Sequence, residues 1–168
     1  INQGFKDHRV FSNYGSILKD LGNLKEAEVS TRKAVELKPD YAIAHSNLGS
    51  ILRDLKNFND AEVYTRKAIE LNPEYAEAHA NLGNIFKDQG KLQDAELLYR
   101  KAIAINPNFA EGHYNLGNVL RDLGQLQDAE LSYRKAIELK TDFASAYYNF
   151  YGLANTIEEA EERINQCL

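Results

Sequence analysis

Apolar residues recur along the chain at two alternating spacings, each typical of one face of an α-helix. The first spacing, i, i+3, i+4, i+7, is shown by His79, Leu82, Gly83 and Phe86. The second spacing, i, i+4, i+7, i+8, is shown by Ala95, Tyr99, Ala102 and Ile103. Polar residues fill the other positions and cluster between the two segments. The pattern predicts pairs of amphipathic helices and an all-α fold.

The helical pair returns at one constant interval, which is the step from Asn13 to Asn47. Residues that follow this step include Asn13, Asn47, Asn81, Asn115 and Asn149, and Tyr41, Tyr75, Phe109 and Phe143. We therefore divide the chain into units at 7–40, 41–74, 75–108 and 109–142, followed by the first helix of a fifth unit at 143–155. Residues 1–6 form an N-terminal extension or the end of a preceding unit. Because one helical pair cannot bury its apolar face alone, the units should stack into a solenoid.

Local signals predict where each helix ends. Gly22, Gly90 and Gly124 follow the first helix of their units, where a residue with positive φ closes the helix. Lys56 has the same position in unit two, so we expect it to be left-handed or the turn to be altered. Asn23 and Glu26 have the spacing of a capping box. The second helices should end before Pro39, Pro73 and Pro107.

Small residues indicate close contact between the two helices of a unit. Glycine at 15, 49, 83 and 117 lies on the apolar face of each first helix, where it lets the partner helix approach. The fifth unit has Tyr151 at this position, which should prevent an ordinary second helix from packing. Thr156 and Glu159 resemble a capping box, and an apolar stripe follows them. We expect residues 156–168 to form a C-terminal capping helix with a polar outer face.

Composition excludes several classes of function. The chain has 168 residues, a net charge of −5 and no basic stripe, which argues against binding nucleic acid. It lacks an apolar stretch of the ~18 residues that a membrane span needs, and it has no secretory signal, so we expect a cytoplasmic protein that does not bind membranes. The single cysteine, Cys167, cannot form an internal disulfide. The chain begins at Ile1 and has no methionine, which suggests a fragment of a longer protein.

These residues resemble the tetratricopeptide repeat. The match includes Leu48-Gly49, Leu82-Gly83 and Leu116-Gly117, the small residue of the second helix at Ala27, Ala61, Ala95 and Ala129, a later alanine at 34, 68, 102 and 136, and the closing prolines. The resemblance implies a right-handed superhelical solenoid that binds other proteins. Histidine or tyrosine before the Asn-Leu-Gly motif, as in His45, His79 and His113, is similar to the repeats of O-linked N-acetylglucosamine transferases. In that family a row of asparagines on the inner surface holds extended substrate peptides.

Helix geometry places the asparagines away from the packed face. With His45 at the centre of that face, Asn47 lies at about 200° and Asp54 at about 180° around the helix axis. The candidate peptide-binding residues are therefore Asn13, Asn47, Asn81, Asn115 and Asn149, the aspartates Asp20, Asp54, Asp88 and Asp122, and the additional amides Asn84 and Asn118. An amide side chain can donate to and accept from a peptide group, which predicts binding to a peptide backbone. The aspartate row would favour Ser, Thr, Lys or Arg on the partner.

Simpler interpretations remain open. The asparagines could be solvated, or they could form hydrogen bonds with residues of the neighbouring units. The aspartates could be ordinary surface charges. The histidines lie a whole unit apart, too far to share a metal, so we expect them to be structural. We find no nucleophile with a base, no phosphate-binding loop and no metal set, and predict neither catalysis nor a cofactor.

Three functions follow from these patterns. The chain could be a non-catalytic scaffold that binds an extended peptide or protein segment. It could be the substrate-docking segment of a larger enzyme such as a glycosyltransferase. It could also self-associate through its open N-terminal end, which concentration-dependent light scattering would detect.

Overall fold

A computed structural model describes residues 7–153 of the chain. The described part consists of α-helices joined by short turns, and it contains no strand. The first helices of the four units are α1 His8–Asp20, α3 Ala42–Asp54, α5 Ala76–Asp88 and α7 Ala110–Asp122. The second helices are α2 Leu24–Leu37, α4 Phe58–Leu71, α6 Leu92–Ile105 and α8 Leu126–Leu139. A further helix, α9, runs from residue 144 to the end of the described part at 153. Both sets of helices begin at the constant interval that the sequence predicts.

The helices stack into a curved solenoid. Each first helix packs along its own second helix, and each second helix packs against the first helix of the next unit. Neighbouring first helices also contact each other, whereas neighbouring second helices have no comparable contact. The first helices therefore line the inner side of the curve. None of the helices in residues 7–153 is both long and apolar enough to cross a lipid bilayer.

The predicted close contacts between paired helices are present. A Cβ added at Gly83 would lie 2.9 Å from the Tyr99 ring, and one added at Gly117 would lie 2.7 Å from the Tyr133 ring. In the first two units a Cβ at Gly15 or Gly49 would overlap the hydroxyl of a threonine on the partner helix. The buried alanines Ala27, Ala61, Ala95 and Ala129 let the helices approach from the other side.

The predicted left-handed turns are confirmed. Gly22, Gly90 and Gly124 have φ values of 80°, 76° and 77°. Lys56, at the same position of unit two, has φ 63° and is the non-glycine residue with positive φ in the described part. A residue with a Cβ is strained there, so the turn keeps its geometry at an energetic cost.

Replacing Lys56 by glycine should raise the free energy of unfolding by about 0.5–1 kcal/mol, because relief of the left-handed strain exceeds the added chain entropy. Urea denaturation followed by circular dichroism would measure this change. As a control, Lys101→Gly in the middle of α6 should lower the same quantity by about 1 kcal/mol. Equal destabilisation by the two substitutions would contradict the interpretation of the turn.

The helix caps differ from the prediction in one respect. Asn23 is the N-cap of α2, but its side chain makes no capping hydrogen bond, so the predicted capping box with Glu26 is wrong. The backbone of Asn23 has φ −82° and ψ 59°, outside the extended conformation that is typical of N-cap residues. Asn57 in unit two does accept a hydrogen bond from the Asp60 amide, at 3.4 Å.

The second helices end as the prolines predict. Lys38, Asn72 and Asn106 are the C-caps, directly before the prolines. The α8 helix ends at the same position although Thr141 replaces the proline. The predicted capping helix at 156–168 and the extension at 1–6 lie outside the described residues, while Tyr151 is 60% exposed on α9.

Candidate functional site

A groove crosses the inner side of the solenoid. It has a volume of about 360 Å³ and is formed by the four first helices and the turns that lead into α5 and α7. Its lining comprises Ser16, Lys19, Asn47, Ser50, Ile51, Tyr75, Glu77, Ala80, Asn81, Asn84, Phe109, Glu111 and Asn115. We call this surface the inner groove. Three of the asparagines that recur once per unit thus lie along one concave surface.

Two of these asparagines are held by serines of the preceding unit. Asn47 donates from Nδ2 to Ser12 Oγ at 3.1 Å, and Asn81 donates from Nδ2 to Ser46 Oγ at 2.9 Å. Both asparagines are half-buried. The structure therefore contains the bonds between units that the sequence left open. Because each bond uses the amide nitrogen, the Oδ1 atoms remain available as acceptors in the groove.

Asn115 differs because Ala80 replaces the serine at the corresponding position of the preceding unit. Its side chain makes no hydrogen bond within residues 7–153, and it lines the inner groove. The amide of Asn115 can therefore both donate to and accept from a guest peptide group.

The asparagines at the two ends of the row lie outside the groove lining. Asn13 is exposed on α1. Asn149 on α9 donates to Tyr114 Oη at 3.3 Å and to Asn118 Oδ1 at 2.8 Å. The central part of the row, from Asn47 to Asn115, is the part that the structure brings together.

The expected outward position of Asn118 is wrong. This side chain is buried, with 8% of its surface exposed, and its Oδ1 accepts from Tyr133 Oη at 2.9 Å as well as from Asn149. Asn84 accepts from Tyr99 Oη at 2.7 Å but stays half-buried in the groove lining. Asn84 and Asn118 are held in this way because units three and four have the long side chains of Tyr99 and Tyr133 where the first two units have threonine. The angular position of a residue around its own helix does not show whether a side chain of the next helix will cover it.

The aspartate row is separate from the inner groove. Asp54 accepts from Arg53 Nη2 at 2.7 Å, and Asp122 accepts from Arg121 Nη2 at 3.0 Å. Arg53 also lies 3.7 Å from Asp88 of the next unit. Asp20 is exposed at the end of α1. Asp54, Asp88 and Asp122 are thus close to arginines of this chain, which weakens their attraction for a cationic guest.

Sequence reasoning missed the aromatic part of the groove. Tyr75 and Phe109 precede α5 and α7, and both line the groove beside the carboxylates Glu77 and Glu111. Burial, and secondarily the nearby Glu77 carboxylate, raises the pKa of Tyr75 to about 12, so its hydroxyl stays protonated at neutral pH. The sequence does contain a sign of this feature, because an aromatic residue recurs directly before each of these first helices. We used that recurrence only to define the repeat.

The histidines have a structural role. The Nε2 atoms of His45, His79 and His113 lie 2.8, 2.9 and 3.0 Å from the carbonyl oxygens of Pro39, Pro73 and Pro107. Since a carbonyl only accepts, Nε2 carries the proton and each histidine fixes the loop between units. Within the described residues, no group of three His, Cys, Asp or Glu side chains is arranged to hold a metal ion.

Comparison with protein families matches the chain to tetratricopeptide-repeat models over most of its length. Family models described as tetratricopeptide repeat match residues 8–41, 42–75, 64–96 and 110–143, and a model described as TPR repeat matches residues 83–120. The matches together run without a gap from residue 8 to residue 143. No curated protein matches the chain.

Several solved structures share the fold. PilF of Pseudomonas aeruginosa superposes with a TM-score of 0.82 at 23% identity, covering 90% of this chain and 69% of PilF. MamA superposes with a TM-score of 0.67 at 27% identity, covering 83% of this chain and 82% of MamA. YrrB, described as a TPR protein with an unusual peptide-binding site, gives a TM-score of 0.64 at 22% identity, covering 91% of this chain and 79% of YrrB. These similarities support an all-α repeat solenoid.

Proposed function

The chain belongs to the tetratricopeptide-repeat family, and on that premise we propose that it is a non-catalytic protein-interaction scaffold whose inner groove binds an extended segment of a partner protein. One observation supports this above all: Asn47, Asn81 and Asn115 line one groove, two with a free acceptor and one with a whole free amide. Amide groups with free acceptors at regular steps match the regular steps of a peptide backbone.

The dimensions of the groove suit an extended peptide. Packed helices lie about 8–10 Å apart, and an extended strand rises about 3.3 Å per residue, so about three guest residues span one unit. The groove runs from Ser16 on α1 to Asn115 on α7, which is three steps between first helices. We therefore infer a footprint of about nine residues.

The test is to locate the bound peptide. A nine-residue peptide selected from a random library would be titrated into isotope-labelled protein, and backbone amide signals followed by NMR. We expect the largest changes on the inner faces of α3, α5 and α7, and small changes on the exposed sides of α4 and α6. Peptides whose signals map to the second helices, or a library that yields no binder, would contradict the proposed function.

The same groove would serve an enzyme. If the repeats are the substrate-docking segment of a larger protein such as a glycosyltransferase, the regular asparagine row is the feature that favours it. This alternative requires a catalytic domain on the same polypeptide, so the sequence of the complete gene decides between the two.

A different surface is available for self-association. Phe11, Tyr14, Leu18 and Val29 line an apolar depression of about 730 Å³ between α1 and α2 of the first unit. Tyr14 and Val29 are 53% and 71% exposed. A second copy of the chain could pack there without using the inner groove, so the two modes of interaction are independent.

A further inference from the structure

At the junction between unit four and unit five, a lysine contacts both a carboxylate and an aromatic ring. Lys140 donates from Nζ to Glu111 Oε1 at 3.1 Å, and the same Nζ lies 5.0 Å from the centre of the Phe143 ring. The ammonium group is therefore close to a carboxylate and to the face of an aromatic ring. Both contacts favour a cation.

The same carboxylate and ring occur one unit earlier without the lysine. Glu77 and Phe109 stand one repeat before Glu111 and Phe143, and both line the inner groove. Asn106 stands where the later junction has Lys140. Its side chain is shorter, and its Oδ1 accepts from the Asn108 amide at 3.1 Å within its own turn. Glu77 has no cationic partner among the described residues.

The other junctions lack this combination. Asn72 has the corresponding position between units two and three, but Ile43 replaces the glutamate. Lys38 has it between units one and two, where its Nζ lies 5.9 Å from the Tyr41 ring and Arg9 replaces the glutamate. Among these junctions, the one with Glu77 and Phe109 thus has both a carboxylate and an aromatic ring but no lysine between them.

We propose that the inner groove selects peptides with a lysine or arginine, whose cationic head binds between Glu77 and Phe109 as Lys140 binds between Glu111 and Phe143. This specificity rests on the proposed function, since the guest must lie in the groove. The neighbouring Oδ1 atoms of Asn47 and Asn81 are acceptors, so they also suit a guest that offers hydrogen-bond donors. Lys19 on α1 also lines the groove, and it would repel a basic guest residue at the α1 end. The basic residue is therefore favoured near Glu77.

The experiment compares four forms of the chain on one random nine-residue peptide library. The forms are the natural chain, Glu77→Gln, Asn106→Lys and Asn72→Lys. We expect the natural chain to enrich Lys or Arg at one peptide position, by about five- to tenfold over the input. Glu77→Gln removes the charge, and Asn106→Lys supplies an internal lysine that competes with the guest, so both should abolish the enrichment.

Asn72→Lys is the matched control. Asn72 accepts from the Glu74 amide in the same kind of turn that Asn106 forms, so both substitutions remove an equivalent contact. Because Ile43 offers no carboxylate there, this variant should keep the natural enrichment. Lys38 and Lys140 show that the fold accepts lysine at this position.

The outcomes separate this inference from the proposed function. Groove binding without Lys or Arg enrichment, or enrichment that survives both Glu77→Gln and Asn106→Lys, overturns the specificity and leaves the scaffold function standing. Selected peptides that map outside the groove by NMR overturn both. Loss of enrichment in Asn72→Lys as well would show that the effect is a general change of charge, and would overturn the role of Glu77 and Phe109.

Discussion

Replacing Tyr99 by alanine is expected to lower the free energy of unfolding by about 3–5 kcal/mol, as truncation of a large buried aromatic side chain does. The Tyr99 side chain is completely buried, and its ring covers Gly83 on the facing helix, where an added Cβ would lie 2.9 Å away. Burial raises the pKa of its hydroxyl, which donates to Asn84 Oδ1 at 2.7 Å. Gly83 on the facing helix has no side chain that could fill this space. The cavity would therefore remain open.

Guanidinium denaturation followed by circular dichroism measures this loss, and two variants calibrate it. Leu97→Ala removes an apolar side chain of the same helix that is 67% exposed, so it should change stability by less than about 0.5 kcal/mol. Tyr99→Phe keeps the ring and removes one hydrogen bond, which should cost about 1 kcal/mol. If Tyr99→Ala were no more destabilising than Leu97→Ala, the contact between Gly83 and Tyr99 would not stabilise the unit.

The sequence determined the helices and turns to a large extent, because the responsible interactions are local and recur in every unit. Gly22 and Lys56 adopt positive φ since the same turn follows each first helix. The capping box at Asn23 is predicted from residue types alone, which do not specify the orientation of the side chain, and Asn23 makes no capping hydrogen bond. Repetition predicts the path of the backbone better than it predicts the orientation of a side chain.

The candidate site was predictable only in part, for the same reason. Helix angles placed Asn47 and Asn81 away from the packed face, but they say nothing about the serines of the preceding unit that hold the amide nitrogens. Nor do they register that Tyr133 reaches Asn118 and buries it. The differences between units, such as Ala80 for serine and Asn106 for lysine, become informative only when neighbouring helices are seen together.

A variant with Asn47→Ala, Asn81→Ala and Asn115→Ala should bind groove peptides about 100-fold more weakly, from three hydrogen bonds of about 1 kcal/mol each. The fold should survive, because alanine favours a helix by roughly 0.5 kcal/mol over asparagine, and the half-buried Ser12–Asn47 and Ser46–Asn81 bonds are offset in part by that gain. Fluorescence anisotropy with a labelled library-selected peptide measures the affinity, and circular dichroism measures the fold.

The matched control removes three amides from the surface turns, by Asn23→Ala, Asn72→Ala and Asn108→Ala. These side chains are exposed and lie outside the groove lining, so the control should bind the peptide as the natural chain does. Asn115→Ala alone should cause the largest single loss, since the Asn115 side chain makes no hydrogen bond within residues 7–153, whereas one amide hydrogen of Asn47 and one of Asn81 already bond to serines. Equal affinity of the natural chain and the groove variant would show that the three asparagines do not hold the peptide, and would leave Asn47 and Asn81 only the role of joining units through Ser12 and Ser46.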